Sequence, residues 1–141
     1  MTPEALAKLH ARCFSMPRPW RAKEFSDLLT CKGVFLKTCE SGFVLGRAIA
    51  DEVELLTLAV APTARRQGIG TGLLDAFEST ARCLGASEAF LEVAEDNAAA
   101  RALYARCGFR QTGRRSGYYL STEEECVDAL LLGKSLIPAA T

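Results

Sequence analysis

Leu55-Leu56-Thr57-Leu58-Ala59-Val60-Ala61-Pro62-Thr63-Ala64-Arg65-Arg66-Gln67-Gly68-Ile69-Gly70-Thr71-Gly72-Leu73 is the stretch on which the fold turns. Leu55 to Val60 is apolar on both faces instead of alternating, which predicts a central strand covered on both sides. Pro62 ends that strand. The glycines behind it open a helix whose Ile69, Leu73, Phe77, Ala81 and Leu84 recur at helical spacing until Gly85. A strand, a glycine-rich turn and a helix N-terminus in this order present unpaired backbone N–H groups and the positive end of a helix dipole to an anion. Two nucleotide motifs fail on these residues. GxxxxGK[ST] lacks its Lys, and GxGxxG meets Leu73 at its third glycine.

Working outward, Glu88 to Val93 reads as the next strand, Asn97 caps a helix through Cys107, and Gly108 ends it. Phe109 to Tyr119 and Cys126 to Ser135 read as a terminal antiparallel pair joined by the polar stretch 121–125. Upstream, Val34 to Cys39, Phe43 to Ala50 and Glu52 to Val60 form a meander with turns at Glu40-Ser41-Gly42 and near Asp51. Thr2, Pro3 and Glu4 start a first helix carrying Leu6, Leu9 and Cys13. Pro17, Pro19 and Trp20 break the chain before a second helix over Ala22 to Cys31, which Trp20 anchors. The order is that of an α+β fold with a central βαβ crossover: a mixed, mostly antiparallel central sheet flanked by helices. The reading has residues 1–141 as a single domain, with no repeat and no linker.

Composition narrows the function. With 141 residues and 49% of them hydrophobic, the chain can bury a core without a staple. Seventeen Lys and Arg balance seventeen Asp and Glu, which argues against a general polyanion binder and makes a solvated face the default for Arg65, Arg101, Arg106, Arg114 and Arg115. Arg66 is the exception, as part of the turn. No apolar run reaches membrane-span length and no leader pattern precedes Trp20, so a soluble, cytoplasmic protein without membrane or direct nucleic-acid partners is expected. Cys13, Cys31, Cys39, Cys83, Cys107 and Cys126 are scattered without a CxxC pair, which reads as reduced, mostly buried small hydrophobes and no metal site. His10, the one histidine, is read as a surface or packed residue without a functional role.

Arg65, Arg66, Gly68 and Gly70 resemble the [QR]-x-x-G-x-[GA] phosphate turn of the GNAT superfamily of acetyl-coenzyme A dependent N-acetyltransferases. Leu58-Ala59-Val60-Ala61-Pro62 before the turn, Leu91-Glu92-Val93, Asn97-Ala98-Ala99-Ala100, Ala102-Leu103-Tyr104 and Gly108-Phe109 follow the family's order and spacing over about residues 43–136. Within the family the chain looks closest to the RimI type, the bacterial ribosomal-protein alanine N-acetyltransferases, also through Pro19-Trp20 and Tyr118-Tyr119. One departure stands in the last strand: Val127-Asp128-Ala129 has a single acidic residue where relatives commonly have two before the alanine.

The resemblance implies acetyl-coenzyme A as cosubstrate, no metal, and a protein N-terminus, that of a ribosomal protein, as substrate. It implies Glu92 as general base and Tyr104 as the acid for the departing thiolate. Arg66, Gln67, Gly68, Ile69, Gly70 and Thr71 would hold the diphosphate. Leu58, Ala59 and Val60 would pair with the pantetheine through their backbone, with Asn97 as a further contact. Tyr118 and Tyr119 would border the peptide groove. The chemistry is consistent with a modest base: an α-amine of pKa near 7.7–8.0 is roughly 10–20% neutral at pH 7, against about 0.04% for a Lys amine near 10.4. Acetylation of Lys side chains or small amines, and a non-catalytic coenzyme A binding module, are the alternatives.

Overall fold

The computed structural model describes residues 1–14, 18–120 and 126–137. Pro17 and the polar connection 121–125 lie outside them. In chain order the elements are α1 (Pro3–Cys13), α2 (Ala22–Leu29), β1 (Val34–Cys39), β2 (Gly42–Ile49), β3 (Glu52–Val60), a 3₁₀ turn (Pro62–Ala64), α3 (Ile69–Cys83), β4 (Glu88–Ala94), α4 (Ala98–Arg106), β5 (Arg110–Leu120) and β6 (Cys126–Ser135). The strands form one sheet in the order β1-β2-β3-β4-β6-β5. Only β3 and β4 are parallel, joined through α3 as the expected crossover. Every other neighbouring pair is antiparallel.

Local chemistry sets most boundaries. Thr2 Oγ1 accepts the Ala5 N–H at 3.1 Å and starts α1. Helix α2 stops at Leu29, two residues short of expectation, because the Thr30 and Cys31 N–H groups turn back to Asp27 and Leu28 carbonyls three residues away. Leu84 is a second departure. It follows the end of α3 at Cys83 and is exposed, while Leu74 supplies the buried contact. The cysteines are a third. All six are free, but Cys31, Cys39, Cys83 and Cys126 are exposed and only Cys13 and Cys107 are half-buried. The exposed four sit at or just past element ends, where the chain leaves the core.

The apolar run in β3 is not a simple two-sided strand. Leu45 of β2 pairs with Thr57 and Gly46 with Leu55, which leaves Leu56 unmatched as a β-bulge. A bulge reverses the alternation of faces. Before it, Val53 and Leu55 join the core beneath α3 and α4; after it, Leu58 and Val60 pack on that core. Ala59 turns to the second core, under α1 and α2, which Leu56 also borders. The same six residues therefore serve both faces in turn.

The bulge coincides with a parting of strands. Parallel pairing of β3 with β4 runs only from Glu52↔Glu88 to Glu54↔Phe90. Beyond it, β3 stays on β2 as far as Val60, and β4 stays on β6 as far as Ala94. The centre of the sheet opens into a V.

Helix α3 is tied down at its far half by Glu78, a buried carboxylate whose Oε1 lies 2.9 Å from Lys134 Nζ of β6 and 3.4 Å from Arg82. Lys134 Nζ also donates to the Cys107 carbonyl at the end of α4, at 2.6 Å. One acidic side chain thus joins α3, α4 and the sheet.

His10 closes the other side. It is 1% exposed and stacks on Phe14 at 4.3 Å and Trp20 at 5.4 Å. The Trp20 N–H donates to Nδ1 at 3.1 Å, so the neutral ring carries its proton on Nε2 and donates it to Thr57 Oγ1 at 3.0 Å. Burial lowers its pKa to about 4, against a weaker upward pull from Glu24. The unfolded chain therefore takes up a proton near pH 6.5 that the folded chain refuses until about pH 4. Stability falls across that window, by up to roughly 3 kcal/mol, and levels off below it. Urea titrations at pH 7, 5.5 and 4.5 should show this decline in the parent chain and a flatter one in His10→Gln. Parallel declines in the two proteins would reject the assignment.

Candidate active site

The V between β3 and β4 continues into a cleft of about 790 Å³. Residues from both faces of the sheet line it. Leu91 and Val93 of β4 point into the core beneath α3 and α4, so Glu92 points to the opposite face, toward the side of α1. Tyr104 and Leu103 belong to α4 on the first face. In a continuous sheet these groups would be separated by backbone. Here Glu92, His10 and Tyr119 share one cavity with Asn97, Leu103 and Tyr104.

At one end the cleft meets the turn before α3. No side chain caps this helix, and its first internal bond runs from the Gly72 N–H to the Gly68 carbonyl. The N–H groups of Ile69, Gly70 and Thr71 are left facing outward by helix geometry. Gly68 has φ +76°, and a Cβ placed there would meet no atom within 4 Å, so the space before it is open. Gly70 lies close to α4: a Cβ there would come within 2.8 Å of Leu103 Cδ2, so that side chain would have to shift. Arg66 adopts φ +66°, a left-handed conformation that non-glycine residues seldom hold and that collects at functional sites. Arg65, assigned above to a solvated face, borders the cleft and donates from Nε to the Val60 carbonyl at 3.3 Å.

Toward the sheet's open face stands Glu92, its Oε1 3.2 Å from Arg115 Nη2. Arg115 was also expected on a solvated face and is exposed there, yet it pairs with Glu92, because Arg115 on β5 projects across β6 to reach β4. Tyr104 is buried against Phe109, with ring centroids 5.8 Å apart. Burial, and secondarily Cys107, push its hydroxyl pKa well above the ordinary phenol value. Tyr119 is raised as well, first by burial, then by the charge of Glu92 and by Tyr118, with Arg115 opposing. Both phenols keep their protons at neutral pH.

Of the residues singled out from sequence, the cleft gathers Leu58, Ala59, Val60, Arg66, Gly68, Ile69, Gly70, Thr71, Glu92, Asn97, Tyr104 and Tyr119. Asn97 Oδ1 also caps α4 through the Ala100 N–H at 3.2 Å. Gln67 and Tyr118 are not in the lining. Tyr118 is exposed, with the Arg115 guanidinium 5.2 Å from its ring centroid. Arg65 entered through the turn motif alone, and His10 and Arg115 were not picked out. Only the Arg-rich composition of 114–115, beside the tyrosines, could have pointed to the last.

Among the described residues no helix is long and apolar enough to cross a membrane, and no cluster of His, Cys, Asp and Glu is arranged to hold a metal. The model of the acetyltransferase (GNAT) family matches residues 4–109. The ribosomal protein bS18-alanine N-acetyltransferase of Escherichia coli strain K12 is 32% identical over 109 residues, covering 74% of each chain. The N-alpha-acetyltransferase RimI of Mycobacterium tuberculosis is 34% identical over 122 residues, 80% of this chain and 75% of that one. The crystal structure of the ribosomal-protein-S18-alanine N-acetyltransferase from Escherichia coli superposes with a TM-score of 0.85 at 27% identity, covering 98% of this chain and 90% of that one. Family match, relatives and superposition agree with the parted strands and the uncapped helix: the chain belongs to the GNAT family of acetyltransferases.

Proposed function

We propose that this protein transfers the acetyl group of acetyl-coenzyme A to the N-terminal α-amine of a protein, and that its substrate is the N-terminal alanine of a small-subunit ribosomal protein. The observation that carries the reading is the cleft through the sheet, which brings Glu92 from one face and Tyr104 from the other into one cavity ending at the uncapped N-terminus of α3. The substrate class is supported by the relatives at 32–34% identity, whose names specify ribosomal protein bS18-alanine or N-alpha acetylation.

The donor set fits the cosubstrate. Outward N–H groups of Ile69, Gly70 and Thr71, with Arg65 and Arg66 beside them, match a diphosphate. The β4-facing edge of β3 has no strand partner after Glu54, so the backbone of Leu58, Ala59 and Val60 can bond pantetheine amides as an added strand would. Asn97 offers further donors at the neighbouring helix start. The cosubstrate supplies an acyl carbonyl activated as a thioester.

Glu92 then accepts the amine proton, directly or through one water, as the nitrogen attacks. Tyr104 holds its proton firmly and donates a hydrogen bond to the sulfur as negative charge develops there. Tyr119, beside Glu92, stays a neutral phenol and borders the path of the incoming chain end. The reading treats residues 1–141 as one catalytic domain.

Three outcomes test the assignment. With acetyl-coenzyme A and a peptide beginning with free alanine, Glu92→Gln should lower kcat/KM by about 10²-fold or more, and Tyr104→Phe should lower kcat with little change in cosubstrate Kd. Intact-mass analysis should locate the label on the α-amine; label confined to internal lysines would reject the substrate class. Gly68→Val should fold, since its side chain meets open space, yet weaken acetyl-coenzyme A binding at least about tenfold by calorimetry, because a branched side chain resists positive φ and screens the N–H groups. Unchanged binding would remove the turn from the site.

A further inference from the structure

Arg115 is held in a way that a stability role does not explain. Its pair with Glu92 is half-exposed, with side-chain exposures of 52% and 26%. Such pairs contribute little to folding. Yet the surrounding chain is shaped to present it. Three residues of β5, Ser116 to Tyr118, oppose only Asp128 of β6, since Arg115 pairs with Ala129 and Tyr119 with Val127. Gly117 has φ +59° within this bulge, and its N–H donates to Asp128 Oδ1 at 2.8 Å. Asp128 Oδ2 takes Arg114 Nη1, which also reaches Glu95 Oε2 at 3.1 Å at the end of β4. Tyr118, carried on the bulge, lays its ring under the Arg115 guanidinium. Arg114 is thus consumed in fixing the bulge, and Arg115 is aimed at Glu92.

Resting on the reading that Glu92 adjoins the acceptor amine, we propose that Arg115 is a positioning residue that offsets the charge of Glu92, so that a bound amine is not trapped as its ammonium. An uncompensated carboxylate within about 4–6 Å of an amine favours the charged form by one or more pKa units. An amine held that way is a tight ligand and a poor nucleophile. Arg115, 3.2 Å from Oε1, offsets that field while the carboxylate still takes the proton.

Among the described residues no other charge around the cleft does this work. Glu54 of β3 is already paired with Arg47 at 2.9 Å, and His10 of α1 is neutral. Tyr104 of α4 and Tyr119 of β5 are uncharged phenols. The remaining cations of the lining are Arg65 and Arg66 on the turn and Arg106 in the last turn of α4. Asp128, Arg114 and Glu95 satisfy one another.

The test is the pH profile of kcat, at saturating acetyl-coenzyme A and alanine-first peptide, for the parent chain, Arg115→Gln, Arg115→Lys and Glu92→Gln. The expected result for Arg115→Gln is an ascending limb moved up by about one pH unit, a kcat about tenfold lower at pH 7 that recovers by about pH 9.5, and a peptide KM at pH 7 that falls or stays level. Arg115→Lys should keep the parent limb. A merely structural role would lower kcat by the same factor at every pH; that result, or no change at all, overturns the proposal. Glu92→Gln separates the two layers. If it is as fast as the parent, the assignment of Glu92 fails; if it is slow while the Arg115→Gln limb stays put, only the role of Arg115 fails.

Discussion

The parting of β3 from β4 after Glu54 and Phe90 is the constraint on which the rest depends. Parallel strands in a sheet normally hide their backbone groups in each other, and an unpaired run in the middle of a sheet is costly unless something replaces the lost bonds. The chain keeps both strands paired on their outer sides and leaves their inner edges facing a cleft. The polar backbone that a closed sheet would have satisfied is left facing that cleft. The opening also brings Glu92 and Tyr104, from opposite faces, into one cavity. Neither effect would survive closure of the gap.

The bulge at Leu56 makes the opening compatible with two cores. Without the extra residue, Leu58 and Val60 would fall on the side of α1, and Thr57 and Ala59 beneath α3. With it, Thr57 meets His10 while Leu58 and Val60 remain on the α3 side. The neutral, desolvated His10 follows from this arrangement: Thr57 and the Trp20 N–H satisfy its two nitrogens, and three aromatic rings exclude water from its faces.

Much of this was legible in the order of residues, because it is encoded locally. Thr2 and Asn97 as caps, the glycine turn, the six strands and the crossover all depend on neighbours a few positions apart. What was not legible depends on register between distant segments. The bulge cannot be read from Leu55 to Val60 alone, since an apolar run looks the same whether it is buried twice or changes face midway. Glu92 with Arg115, His10 with Thr57 and Glu78 with Lys134 are contacts across 23, 47 and 56 positions. Asp128 shows the limit most clearly. As a motif it was a family acidic pair with one member missing. As a residue in place it accepts the Gly117 N–H and Arg114, and the shape of β5 around Arg115 follows from that.

Glu78 completes the logic from the opposite end of α3. It lies eight residues beyond Gly70, about 12 Å along the axis, too far to touch anything bound at the turn. A carboxylate this buried is tolerable because Lys134 and Arg82 reach it, and removing both partners would leave its charge uncompensated in the interior. Lys134 spends a further donor on the Cys107 carbonyl at the end of α4. The helix whose N-terminus has no side-chain cap is thereby fixed through its other half, to the sheet and to the helix that carries Tyr104. The anchored half of α3 is thus the one that carries the buried Glu78, and its N–H groups without a side-chain cap lie at the other end, on the cleft.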